Sequence, residues 1–124
     1  MNMPSQHAIV WAELPVRDLD KATAFYAATT GGTLVREEDG PNPIAMFQTP
    51  DNGVSLHLYP GEPAEDGRGP TLHLSSAGTL EETLERVKQA GGEVISPIID
   101  IPPGRFFYIK DPDGNSIGFF ETRS

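Results

Sequence analysis

Apolar residues along this chain recur first at every second position and then at every third or fourth, and the changes of period mark out its elements. Residues 8–14 alternate: Ala8, Val10, Ala12 and Leu14 fall on one face, and Ile9, Trp11 and Glu13 on the other, which predicts a strand. The first set is small and aliphatic and suits packing beneath a helix; the second is large or charged. From Asp18 to Thr30 the period becomes helical, with Leu19, Ala22, Phe25 and Tyr26 as the buried stripe. Asp18 is an N-cap, Asp20 sits at the positive end of the helix dipole, and Gly31-Gly32 ends the helix. Residues 33–38, 44–49 and 54–59 read as three more strands. They are separated by the 39–43 turn and by Pro50-Asp51-Asn52-Gly53, whose Asn-Gly pair is a hairpin cue. In the last of them Val54, Leu56 and Leu58 face the helix, and Ser55, His57 and Tyr59 face away.

Residues 60–70, rich in proline and glycine, form a polar linker, and then the pattern restarts. Residues 71–76 read as a strand. Thr79 and Glu82 make a capping box before a helix that carries Leu80, Leu84 and Val87 to about Ala90, where Gly91-Gly92 ends it. Residues 93–96 form a strand and 97–104 a proline-rich loop. Strands at 106–109 and 116–120 then flank Asp111-Pro112-Asp113-Gly114-Asn115, a hairpin turn in which Pro112 fixes φ and Gly114 and Asn115 tolerate positive φ.

The two halves match at an offset of about sixty residues, Trp11 falling on Thr71, Glu13 on His73, and Gly31-Gly32 on Gly91-Gly92. The expected fold is α+β: two βαβββ modules forming one cupped mixed β-sheet. Residues 1–124 make a single domain, with module one at 7–60, the linker at 60–70 and module two at 71–122. Pairing the modules edge to edge would cover their open strands, within a chain or between chains.

The formal net charge of −9 argues against phosphate-directed nucleic-acid binding and against an anionic membrane surface. No apolar run approaches the ~20 residues that span a bilayer. Residues 1–6 have neither the basic start nor the apolar stretch of a signal peptide, so a cytoplasmic protein is expected. The chain has no cysteine, which removes disulfides, thiolate metal sites and cysteine nucleophiles. It also has no glycine-rich phosphate loop, nucleophile elbow or zinc-protease helix motif.

Three stretches carry a resemblance: Leu14-Pro-Val-Arg-Asp-Leu-Asp-Lys-Ala-Thr-Ala-Phe-Tyr26, residues 80–92, and Asp111-Pro-Asp-Gly-Asn-Ser-Ile117. They resemble the first strand and helix, the second helix and the closing hairpin of the glyoxalase / bleomycin resistance / extradiol dioxygenase group, the vicinal oxygen chelate superfamily. The Trp11-x-Glu13-Leu14 opening is most similar to its small members described as related to lactoylglutathione lyase. The resemblance implies paired βαβββ modules and a homodimer. It also implies a divalent metal at four positions, which fall here on Trp11, His57, Thr71 and Gly118. Only His57 is a usual ligand, so no cofactor is expected at that site. A shifted metal set is the alternative. Glu13 and His73 lie two residues along from the first-strand positions, about 6.6 Å on the same face, and could converge with His57.

The expected ligand pocket is Trp11, Glu13, His57, Tyr59, His73, Tyr108 and Phe120, with Phe47 and Phe106 as further aromatic wall; each of these aromatics could equally be core. Glu13, if buried, is the candidate general base; at an edge it is a plain carboxylate. His73, between Leu72 and Leu74, also reads as a structural histidine. Arg105 either reaches an anionic group or is solvated. Two functions follow. The first is a metal-independent small-molecule binder, as in the bleomycin-resistance branch; the second is a lyase, isomerase or oxygenase that uses the shifted metal or Glu13. The expected partners are a small-molecule ligand and a second copy of the chain.

Overall fold

The computed structural model describes residues 7–123. Module one comprises β1 (Ala12–Val16), α1 (Leu19–Thr30), β2 (Leu34–Glu37), β3 (Ile44–Phe47) and β4 (Leu56–Pro60), in the sheet order β1-β4-β3-β2 with β1 parallel to β4. Module two comprises β5 (Leu72–Leu74), α2 (Leu80–Ala90), β6 (Glu93–Val94), β7 (Ile99–Ile101), β8 (Gly104–Lys110) and β9 (Ser116–Thr122). Its order is β5-β9-β8-β6, with β5 parallel to β9 and β7 also on β8. The α+β class and the repeated βαβββ order hold. The ladder bonds, however, divide into a four-stranded and a five-stranded sheet rather than one continuous cup. Part of the reason is local. Pro15 brings no N–H to β1, and its carbonyl accepts from Asn115 Nδ2 at 2.9 Å instead of from a strand.

Both helices begin and end as their sequences dictate. The Asp18 side chain accepts from the Lys21 N–H at 3.0 Å, and Gly31 closes α1 at φ 74°, a conformation that costs glycine little. Thr79 Oγ1 accepts from the Glu82 N–H at 3.1 Å while Glu82 Oε1 accepts from the Thr79 N–H at 2.8 Å, a complete capping box. Between the sheets lies one core. Leu14, Val16, Ala45, Leu56 and Leu58 from sheet one and Phe107, Ile109, Ile117 and Phe119 from sheet two close around Phe25, Tyr26, Leu80 and Val87.

Two expectations fail here. The first strand begins at Ala12, not at residue 8, and Ile9, Val10 and Trp11 are 62%, 67% and 42% exposed. Among the described residues no strand pairs with them. Residues 50–52 coil into a 3-10 turn, with Asp51 and Asn52 at positive φ, so β4 starts only at Leu56 and Val54 is exposed too. The 97–104 loop, by contrast, contains β7. Ile99 and Ile101 pair with Phe106 and Gly104 on the same edge of β8 that β6 uses further along, so β6 and β7 are one strand broken at the proline-rich step.

The modules are fastened at the β8–β9 turn. Asp111 is buried, and its Oδ1 accepts the N–H groups of Asp113 and Asn115, both at 2.9 Å. Its Oδ2 accepts the Tyr26 hydroxyl at 2.6 Å and Asn115 Nδ2 at 3.0 Å. Burial first, and then the Asp111 charge, push the Tyr26 phenol well above its ordinary pKa, so it stays a donor. Arg17 adds a surface link, reaching Glu65 of the linker at 2.5 Å and Asp113 at 3.4 Å.

Candidate functional site

The parallel register of β1 and β4 sets Glu13 beside His57. Because Leu14, Val16, Leu56 and Leu58 point into the core, Glu13, His57 and Tyr59 turn to the opposite face. His57 Nδ1 accepts the indole N–H of Trp11 at 2.9 Å, and its Nε2 lies 3.3 Å from Glu13 Oε1. The Trp11 and Tyr59 rings stand 6.0 and 6.1 Å away from it, centroid to centroid, and the His57 side chain is only 15% exposed. In front of this group opens a cavity of about 550 Å³, lined by Glu13, Glu37, Asn42, Ile44, His57 and Tyr59. Glu37 was absent from the expected pocket. Its pairing with Ile44 across the 39–43 turn places it there, and the strand assignment combined with that turn was the signal available.

The matching face of sheet two is different in kind. His73 sits among Phe106, Tyr108 and Phe120 at centroid distances of 5.6, 5.8 and 5.9 Å, and Phe106 stacks on Phe120 with planes 3° apart. The β8–β9 register makes Phe106 and Phe120 direct partners and sets Gly118 between Tyr108 and His73. A Cβ on Gly118 would run into His73 Nδ1, so the glycine is what lets the imidazole lie flat on the sheet. Loss of water around the ring lowers the His73 pKa from 6.5.

The expected pocket residues therefore form two groups within the chain: Trp11, Glu13, His57 and Tyr59 on sheet one, and His73, Tyr108 and Phe120 on sheet two. The single concave pocket expected for Trp11, Glu13, His57 and His73 is not assembled. His73 borders another, more apolar cavity of about 660 Å³, lined also by Ala12, Phe47, Leu56 and Leu72. The shifted ligand set Glu13, His57 and His73 is divided in the same way, and among the described residues no three His, Cys, Asp or Glu side chains gather to hold a metal ion. Of the four positions implied by the resemblance, Trp11 is committed to His57, Thr71 Oγ1 pairs with Ser116 Oγ at 2.5 Å, and Gly118 lies beneath His73. These donors do not fit a divalent ion.

Glu13 is 68% exposed, so the burial that would make it a general base is missing. Phe47 packs edge-on against Tyr26 on the core side instead of lining the Glu13 cavity. Arg105 is not free for an anion. It forks onto Glu81 at 2.9 and 3.1 Å and donates from Nε to Glu121 at 2.9 Å, holding the Glu81 carboxyl down at about 2.

Comparison with known proteins bears on this arrangement. The family model of the Glyoxalase/Bleomycin resistance protein/Dioxygenase superfamily matches residues 8–119. A bleomycin resistance protein of Geobacillus stearothermophilus is 29% identical over 130 residues, covering 87% of this chain and 92% of the relative. A glyoxylase-like domain-containing protein of Didymella fabae is 28% identical over 116 residues, 84% of this chain and 85% of its own. Among solved structures, TnmS3, an antibiotic binding protein from Streptomyces sp. CB03234, superposes with a TM-score of 0.68 at 28% identity, over 98% of this chain and 100% of its own.

Proposed function

The chain belongs to the Glyoxalase/Bleomycin resistance protein/Dioxygenase superfamily, and from that premise we propose that it binds a small organic cation without transforming it. The observation that carries this reading is the cavity lined by Glu13, Glu37 and Tyr59 beside a hydrogen-bonded His57. Carboxylates meet the positive charge of such a ligand, and the ring packs against its flat or apolar part. Relatives named for bleomycin resistance and for antibiotic binding support the same class of task.

The binding unit in this reading is a homodimer. Ile9, Val10 and Trp11 stand exposed just before β1, and β1 and β5 are both edge strands, which invites a second copy. In such a pair the His73, Tyr108 and Phe120 face of one copy would supply the second wall of the pocket for Glu13 and His57 of the other.

Trp11 is the chain's only tryptophan and touches the site, so its fluorescence reports binding directly. Titration with bleomycin and with simple aromatic amines is expected to give a saturable change that disappears in the Glu13→Gln, Glu37→Gln double variant. No saturable change up to millimolar concentration with any of these probes would overturn the reading. Light scattering across a dilution series tests the dimer: a mass near 13.4 kDa throughout defeats it, and about twice that mass supports it.

A further inference from the structure

The contact between Trp11 and His57 decides what the imidazole can do. An indole N–H only donates, so His57 Nδ1, 2.9 Å away, must present its lone pair. The proton of the neutral ring then resides on Nε2, which faces the Glu13 carboxylate at 3.3 Å. A metal-bound histidine uses the same grammar, giving one N–H to a carboxylate or carbonyl and its other nitrogen's lone pair to the ion. Here Nε2 lies 3.3 Å from the Glu13 carboxylate, and the indole N–H takes the Nδ1 lone pair that an ion would need.

We propose that Trp11 is a positioning residue that locks His57 in the Nε2–H tautomer and occupies its one lone pair, turning a metal-ligand position into a site that excludes divalent cations. This rests on reading the Glu13–His57 cavity as the binding site. Its geometry is specific. The imidazole is held between the Trp11 and Tyr59 rings and is 15% exposed, so it does not simply rotate to offer the other nitrogen. Trp11, which is 42% exposed, packs into no core, so replacing it tests the hydrogen bond without removing a structural support. The remaining family positions add nothing that competes: Thr71 is tied to Ser116 and Gly118 has no side chain.

The test is the tautomer itself. Side-chain ¹⁵N correlation spectra of the full chain are expected to show His57 as the Nε2–H form, and Trp11→Phe, which keeps a ring and loses the donor, is expected to release it into a mixture. Zn²⁺ titrated into Trp11→Phe should then bind about tenfold more tightly than into the unaltered protein. The gain should vanish when His57→Ala is added. Circular dichroism of each variant confirms that the fold is kept. A His57 found as Nδ1–H in the unaltered protein, an unchanged tautomer in Trp11→Phe, or equal Zn²⁺ affinity in the two would each overturn the proposal. None of these readouts needs an organic ligand, so a failed cation titration would remove the proposed function and leave the tautomer result standing.

Discussion

The two modules share one frame and present opposite chemistry. At equivalent points of the repeat, sheet one sets Glu13 against His57 and sheet two sets His73 against Gly118. The first pairing leaves room for a polar dyad in front of an acidic cavity. The second removes a side chain altogether, so that one imidazole can lie among three aromatic rings. The two modules thus keep their core positions apolar and differ on the face the core does not need. The helix-side residues differ far less in character between modules: Leu14, Leu56 and Leu58 answer to Leu74, Ile117 and Phe119.

The sharpest way to break this comparison is to unfasten the modules. Asp111→Ala leaves the Tyr26 hydroxyl, the Asn115 amide and two backbone N–H groups without their acceptor, in a place that is 4% exposed. We expect a loss of about 3 kcal/mol or more in urea unfolding, together with a broader transition as the halves cease to unfold together. A sharp transition at the original midpoint would show that the joint is not what unites them.

A second substitution tests the asymmetry itself. Gly118→Ala should cost about 1–3 kcal/mol and displace the His73 ring, because the added methyl meets an imidazole rather than open space. An unchanged denaturation midpoint in Gly118→Ala would show that the aromatic face is looser than its packing implies.

The smallest expected effect is in pH. The folded His73 pKa lies below 6.5 because the rings around it displace water. Between the folded value and 6.5 the unfolded chain binds more protons, so stability rises with pH through that window and is complete above it. NMR titration should place the His73 midpoint below 6.5, and His73→Phe should flatten the corresponding slope of stability against pH. A midpoint at or above 6.5 would remove desolvation as the cause.

What was legible in the sequence was local. Asp18 with Gly31, Thr79 with Glu82, and the Asp111–Asn115 turn each carry their own geometry within a few residues, and each appears where the sequence places it. Strand parity was legible as well: Glu13, His57 and His73 all leave the core face. The extent of β1 was not, because it depends on where β4 begins, and that depends on the backbone of Asp51 and Asn52. Nor was β7, since prolines at 97, 102 and 103 hide two isoleucines that alternate correctly for pairing. The partition of the expected pocket into two groups was the least accessible, because parity within a strand says nothing about how one module is set against the other. The same holds for Arg105, whose carboxylate partners come from α2 and β9.

The placement of the Asp111 joint has an evolutionary consequence. The buried bonds that unite Tyr26, Asp111, Asn115 and Pro15 lie at one end of β1 and use none of the groups at positions 11, 13 and 57. Substitutions at those three positions therefore leave the joint intact. A lineage carrying this scaffold can exchange one set of binding groups for another in a few steps, without first passing through an unstable ancestor.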